Sequence, residues 1–302
     1  MPRTQWLLLI VLSVLWGGSF FFVGIAVKEL PAFTIVLARV TLAAIFLLPV
    51  VLAMGLRLPR EPAAWTPFLV MSLLNNVLPF TLITLGQKTV PSGLASVLNA
   101  TTPLFALVIA HLFADERLKA NKFAGVALGI LGVAILMGSN VLATSTASLL
   151  GMLLCLVGSM SYGFAALWGR RLRDTPPLVA ATCQLMASTL TLGVLAAVVD
   201  RPWTLSWPTM PTVLALLGLA LLATSLAYVI FYRILSVSGP TNVMLVTLLI
   251  PITGIGLGVT LLGEMLETRH IIGALVIASG LLVIDGRLLA MGRRGAQVDF
   301  KR

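Results

Sequence analysis

The chain has 302 residues, of which 59% are hydrophobic and only 10% charged, and its mean hydropathy is +1.07. A soluble domain carries about 25% charged residues, so most of this chain cannot be solvated surface, and a water-soluble globular protein is excluded. The net charge of +10 would point to nucleic acid in a soluble protein, but here the cations lie in short clusters between apolar runs, with no basic stripe interleaved by aromatics.

The first apolar run, Leu7 to Val27, holds 21 residues without a charge, and Pro67 to Gln87 holds another 21. A bilayer core roughly 30 Å thick is crossed by about 20 residues at 1.5 Å each, so either run can span. The first is too long for a signal core and lacks a small-residue cleavage site, so it reads as a span. Cutting the chain at its charged and Pro/Gly-rich junctions predicts an all-α membrane protein with ten spans, at 5–27, 32–54, 66–88, 91–113, 121–139, 147–169, 177–199, 211–233, 239–262 and 269–289. Cytoplasmic loops of membrane proteins are enriched in Lys and Arg. Fifteen cations fall on the side shared by both termini, whereas Lys28, Lys88, Arg201 and Arg269 make four on the other, so both termini are expected inside.

The chain then repeats itself. PLFALVIAHLFADE (Pro103 to Glu116) and PITGIGLGVTLLGE (Pro251 to Glu264) lie 148 residues apart, and Gly125, Gly132 and Gly273, Gly280 follow them at equal distances. The same offset pairs Asn76 with Thr224, Phe80 with Tyr228 and Thr84 with Tyr232. An offset of 145 pairs Lys28-Glu29-Leu30-Pro31 with Arg173-Asp174-Thr175-Pro176, and Arg39 with Gln184. Two five-helix units follow. Five is odd, so the second unit enters the membrane inverted, as in secondary transporters that expose one central site to either side in turn.

The doubled P-x12-E-x8-G-x6-G pattern, with Trp16-Gly17 in the first span, resembles the drug/metabolite transporter superfamily, and more narrowly its ten-helix exporters with two EamA-type repeats. The resemblance covers roughly residues 5 to 290 and assigns 1–140 to one repeat, 147–290 to the other and 291–302 to a basic cytoplasmic tail. It implies export of amino acids or related metabolites across a bacterial inner membrane, with bacterial aromatic amino-acid exporters as a near comparison. It also implies that the fifth and tenth spans lie peripherally while the others surround a central cavity.

Candidate cavity residues follow the chain. Trp16 and Ser19 lie mid-span in the first helix. Arg39, about two turns into the second span, reads either as an anionic handle for a substrate carboxylate or as an arginine snorkelling to headgroups. In the third span Asn76, Phe80, Thr84 and Gln87 share a stripe at i, i+4, i+3 spacing, and Asn75 is assigned to another face as interhelical glue. Asn99 precedes Pro103 in the fourth. Tyr162 lies mid-span in the sixth, where Trp168 reads as an interfacial belt residue beside Arg170. Gln184 is the neutral repeat mate of Arg39. In the eighth span Thr224 or Ser225, Tyr228 and Tyr232 mirror the third-span stripe, and Asn242 precedes Pro251 in the ninth.

Pro79, Pro103 and Pro251 each remove a helix hydrogen bond and mark either fixed kinks or moving gate segments. Glu116, beside Arg117, and Glu264, near Arg269, are assigned to the two gates or to ion pairs at helix ends. Gly125, Gly129, Gly132, Gly273 and Gly280 form small-residue faces that suit packing within the bundle or a homo-oligomer through the fifth and tenth spans. Cys155 and Cys183 sit in apolar helices without metal-ligand spacing and read as packing residues. No Asp or Glu lies in the middle third of a span, and the chain has no Walker loop, HExxH or GxSxG. The expectation is a non-enzyme without cofactor, metal or nucleic-acid partner, working in the lipid bilayer on a small-molecule substrate, with broad specificity from a wide, weakly charged cavity. Alternatives are a carrier for another solute class (a drug-like cation, purine or sugar derivative) and, more remotely, a channel or an intramembrane enzyme.

Overall fold

The computed structural model describes residues 3–114, 116, 119–138, 146–238, 243 and 245–285, so Asn242 and the 291–302 tail lie outside the described residues. The spans, in chain order, are Thr4–Ala26, Ala32–Ala53, Pro62–Gly86, Ser92–Phe113, Ala120–Met137, Thr146–Leu172, Pro177–Asp200, Met210–Ser238, the shorter Val246–Leu262, and Thr268–Asp285. No strand occurs among the described residues. The chain is a multi-span helical membrane protein of two five-helix repeats. The ninth span is described over 17 residues, against the 239–262 expected from sequence.

Prolines set where several helices begin. Pro31, Pro91 and Pro176 take extended ψ values of 157°, 147° and 128° immediately before the second, fourth and seventh spans. Their fixed φ and missing N–H cannot continue a preceding helix but lead well into a new one. Each closes a short turn, so neighbouring helices return antiparallel. The second and seventh spans, equivalent members of the two repeats, then pack face to face through Val36, Val40, Ala43 and Leu47 against Ala181, Leu185 and Leu192.

Lipid gives apolar helices little reason to associate, so close van der Waals approach decides which helices touch. The fifth and tenth spans show this at the edge of the bundle. A Cβ on Gly125 would lie 2.6 Å from the Gly280 carbonyl oxygen, and one on Gly273 would lie 2.7 Å from that of Gly132. The glycine faces therefore cover each other, while Ile130, Leu131, Ile271, Ile272 and Leu275 face outward.

Three spans contain wide turns in which the backbone bonds five residues back, at Leu73–Val77, Ala196–Asp200 and Gly218–Leu226. With the 148-residue offset, the turn of the third span maps inside that of the eighth. A π-turn inserts one residue into the helical register and rotates everything on one side of it. The Thr224 and Ser225 hydroxyls follow the wider spacing, donating to Leu219 O at 2.8 Å and Ala220 O at 3.0 Å.

Candidate functional site

Between the repeats lies a cavity of about 500 Å³, lined by the first four spans and by the sixth, eighth and ninth. Ligand pockets typically measure about 300–1,000 Å³, so it is large enough for a small metabolite. Of the cavity candidates singled out from sequence, Trp16, Ser19, Arg39, Phe80, Gln87, Asn99, Tyr162, Thr224, Tyr228 and Tyr232 line it.

Arg39 is 8% exposed. Its Nε donates to Thr224 Oγ1 at 3.0 Å, and its guanidinium carbon stands 3.6 Å above the Phe80 ring centroid. A desolvated cation–π contact is worth about 2 kcal/mol, a partial return for burying the charge. Three spans thus fix one guanidinium: the second carries it, the third supplies a ring and the eighth a hydroxyl. The side chain is buried and lines the cavity.

A polar network ties the third, seventh and eighth spans. Asn75 Nδ2 donates to Gln184 Oε1 at 3.2 Å and to the Tyr228 hydroxyl at 3.3 Å, and that hydroxyl donates to Asn76 Oδ1 at 3.3 Å. Asn76 Nδ2 continues to Ser188 Oγ at 3.0 Å. Beside it the rings form a wall, with Tyr228–Tyr232, Tyr232–Phe231 and Phe231–Trp16 centroids 6.1, 5.1 and 5.4 Å apart. Gln87 donates to Phe20 O at 2.9 Å, while its Oε1 and the Oδ1 of Asn99 are buried acceptors with no partner among the described residues.

The structure turns the third-span stripe relative to the sequence reading. Met71, Asn75, Phe80, Ile83 and Gln87 line the cavity, and the step of five from Asn75 to Phe80 bridges the wide turn. Asn76, expected in the wall, stands behind it, and Asn75, expected as glue, faces the cavity while also bonding Gln184. Regular 3.6-residue spacing cannot anticipate that rotation. Gln184 and Ser225 also lie behind the wall, the latter donating to Ala43 O at 3.2 Å, and Thr84 is buried without lining the cavity. Thr224 takes the position facing Arg39. Met71, Thr102, Phe231 and Thr247 line the cavity without having been singled out as cavity residues, since none is unusual for its span. Trp168 is tied elsewhere, its indole donating to Pro67 O at 3.0 Å.

The gate candidates separate. Pro103 stands in the first turn of Thr102–Phe113, just after a tightened turn at Ala100–Thr101 that keeps right-handed helical dihedrals, and Pro79 follows the wide turn of its span. Pro251 lies inside the continuous helix Val246–Leu262. Glu116 pairs with Arg170, both side chains about half exposed. Glu264 does not pair with Arg269, which bonds Glu267 at 2.7 Å. Its carboxylate instead accepts the Ser92 and Gly93 amides at 2.6 and 3.0 Å. The first amides of a helix have no partner within it, and after Pro91 the chain supplies no side-chain cap of its own.

The same device recurs twice on that end of the bundle, the face carrying Lys28, Lys88 and Arg201. Asp200 Oδ2 accepts the Thr34 amide at 2.7 Å and the Thr34 hydroxyl at 3.0 Å. Glu29 accepts the Thr209 amide at 2.8 Å and the Thr209 hydroxyl at 2.5 Å, which together hold its carboxyl below the usual range, the hydroxyl contributing most. Each carboxylate caps a helix start in the opposite repeat. The cation-rich end carries the exposed Arg170–Glu116 pair instead.

Comparison with known proteins matches the EamA-like transporter family over residues 4–138 and 149–285. The chain is 24% identical over 276 residues to the uncharacterized transporter YoaV of Bacillus subtilis, covering 91% of this chain and 94% of that protein. It is 26% identical over 285 residues to the uncharacterized inner membrane transporter YedA of Escherichia coli K12, covering 94% and 90%. A probable amino-acid metabolite efflux pump of Salmonella typhimurium is 26% identical over 292 residues, with 94% and 95% covered. A solved crystal structure superposes with a TM-score of 0.66 over 96% of this chain and 99% of its own, at 19% identity.

Proposed function

The chain belongs to the EamA-like transporter family, and from that premise we propose that it is a secondary transporter exporting amino acids or related small metabolites across the inner membrane by alternating access. The observation that carries the reading is the cavity of about 500 Å³ at the junction of the two repeats, walled by rings and polar groups from both. The similarity to a relative named an amino-acid metabolite efflux pump supports the cargo class. The mostly apolar wall, with hydrogen-bonding groups scattered over it, suits several related solutes rather than one. With the cation-rich face in the cytoplasm, the Glu29, Asp200 and Glu264 caps lie on the outer side and hold it closed. Solute enters from inside, and release requires those carboxylates to leave their amides as the two repeats rock.

Counterflow tests this. Purified protein is placed in liposomes preloaded with one unlabelled amino acid or analogue, and the same labelled compound is added outside. Transient, saturable accumulation of unaltered label is expected for at least one compound. Flux without saturation or counterflow identifies a channel, chemical conversion identifies an enzyme, and either result overturns the reading.

A further inference from the structure

The charge of the cavity wall narrows the cargo further. Among the described lining residues Arg39 is the one charged group, and none is Asp, Glu or Lys. Its Nε is used by Thr224 and its face by Phe80, but the terminal nitrogens make no hydrogen bond or ion pair to the described residues. A buried guanidinium with a planar fork of donors left over is a carboxylate receptor, since two parallel N–H···O bonds fit that anion. Burying a charge without a counter-ion is costly, so such a site gains most from a ligand that brings the missing charge.

An amino-acid zwitterion would bring an ammonium as well, and the wall has no carboxylate to receive it. Neutral acceptors on the wall are the hydroxyl oxygens of Ser19 and Thr102, whose protons go to the Trp16 and Asn99 carbonyls. These suit a neutral N–H or O–H, because a hydroxyl oxygen cannot neutralise the second positive charge that a zwitterion brings. Trp16, Phe231 and Tyr232 offer apolar surface for the body of the solute. We propose that the preferred cargo is a net monoanion: a carboxylate on an aromatic or aliphatic body with a neutral hydrogen-bond donor, as in N-acylated or hydroxy acids, in preference to the parent zwitterion. The proposal rests on the central cavity being the transport site.

The test is a matched panel sharing one ring: N-acetylphenylalanine and 3-phenyllactate as monoanions, phenylalanine as zwitterion, and phenylethylamine as cation. Binding to wild-type protein in nanodiscs is read by quenching of tryptophan fluorescence and by isothermal titration calorimetry, at a pH where these charges hold. The anions are expected to bind at least tenfold more tightly than phenylalanine, and the cation weakest. Arg39→Gln is expected to erase the difference between anion and zwitterion, and Arg39→Lys to restore part of it. Equal or tighter binding of the zwitterion overturns the proposal, as does absence of binding by both anions. The wild-type panel decides this even if a variant does not fold. Counterflow on the same panel separates the two readings. Anions bound but not exchanged contradict the exporter, whereas phenylalanine exchanged without anion preference retains the exporter and removes the monoanion site.

Discussion

Replacing Glu264 tests the capping scheme most directly. Its carboxylate takes the Ser92 and Gly93 amides at 2.6 and 3.0 Å. A hydrogen bond to a charged group contributes about 1.5–3 kcal/mol. The residue is half-buried, so water replaces part of what is lost, and about 2 kcal/mol remains for the pair. At about 1.4 kcal/mol per factor of ten, that is about a 30-fold larger opening equilibrium for the fourth span's first turn in Glu264→Ala, and correspondingly faster amide exchange. Hydrogen exchange of the protein in nanodiscs, followed by mass spectrometry, reads it at the Ser92 and Gly93 amides. Glu264→Gln keeps an acceptor without the charge and falls between. Gly258→Ala supplies an independent route to the same effect, because a Cβ there would fall on the Glu264 carboxylate. Exchange in Glu264→Ala within about threefold of wild type refutes the cap as a stabilising element at that conversion. An acceleration spread evenly over all the spans would show general loosening instead.

Gly125→Ala places a methyl 2.6 Å from the Gly280 carbonyl oxygen and forces the fifth and tenth spans apart; thermal unfolding should report a loss of about 1–3 kcal/mol. Ile130→Ala, on the outward surface at 65% exposure, should change stability by no more than about 0.5 kcal/mol. Because the Glu29 carboxyl is held below its ordinary value of 4.5, its cap is fully present above that pH and is lost as pH falls through the lowered value. Protection of the Thr209 amide should therefore drop below about pH 4.5 in wild type and show no such step in Glu29→Gln. Pro103 follows a tightened turn at Ala100–Thr101 and Pro251 sits in a regular helix, so Pro103→Ala should slow counterflow more than Pro251→Ala. Unchanged rates in both remove any hinge role for these prolines.

Much of the architecture is legible in the residues because the bilayer leaves few choices. Runs of about 20 apolar residues must be helices, and the paired Pro-to-Glu segments make the two repeats visible. Arg39 stands out for a comparable reason, since a charge at membrane depth needs an interior destination. What stays hidden is rotation. Asn75 and Asn76 are adjacent and identical, and which one faces the cavity depends on a single extra residue in the turn at Leu73–Val77. The caps are hidden differently. Glu29 and Asp200 look like ordinary loop charges, Glu264 suggests a pair with nearby Arg269, and the true partners of all three become apparent only once the other repeat is alongside.

Those caps bear on how the chain is completed during synthesis. The Thr34 amide waits for Asp200, 166 residues later, and the Ser92 amide waits for Glu264, 172 residues later. Gly129 is covered by Leu104 of the same half, but Gly125 and Gly132 are covered only when the tenth span arrives. A first half released alone would therefore hold five helices with two open starts and two bare glycines. The two halves read as duplicates, yet neither is a finished object, and a chain cut between them should regain its packing only when both pieces are made together.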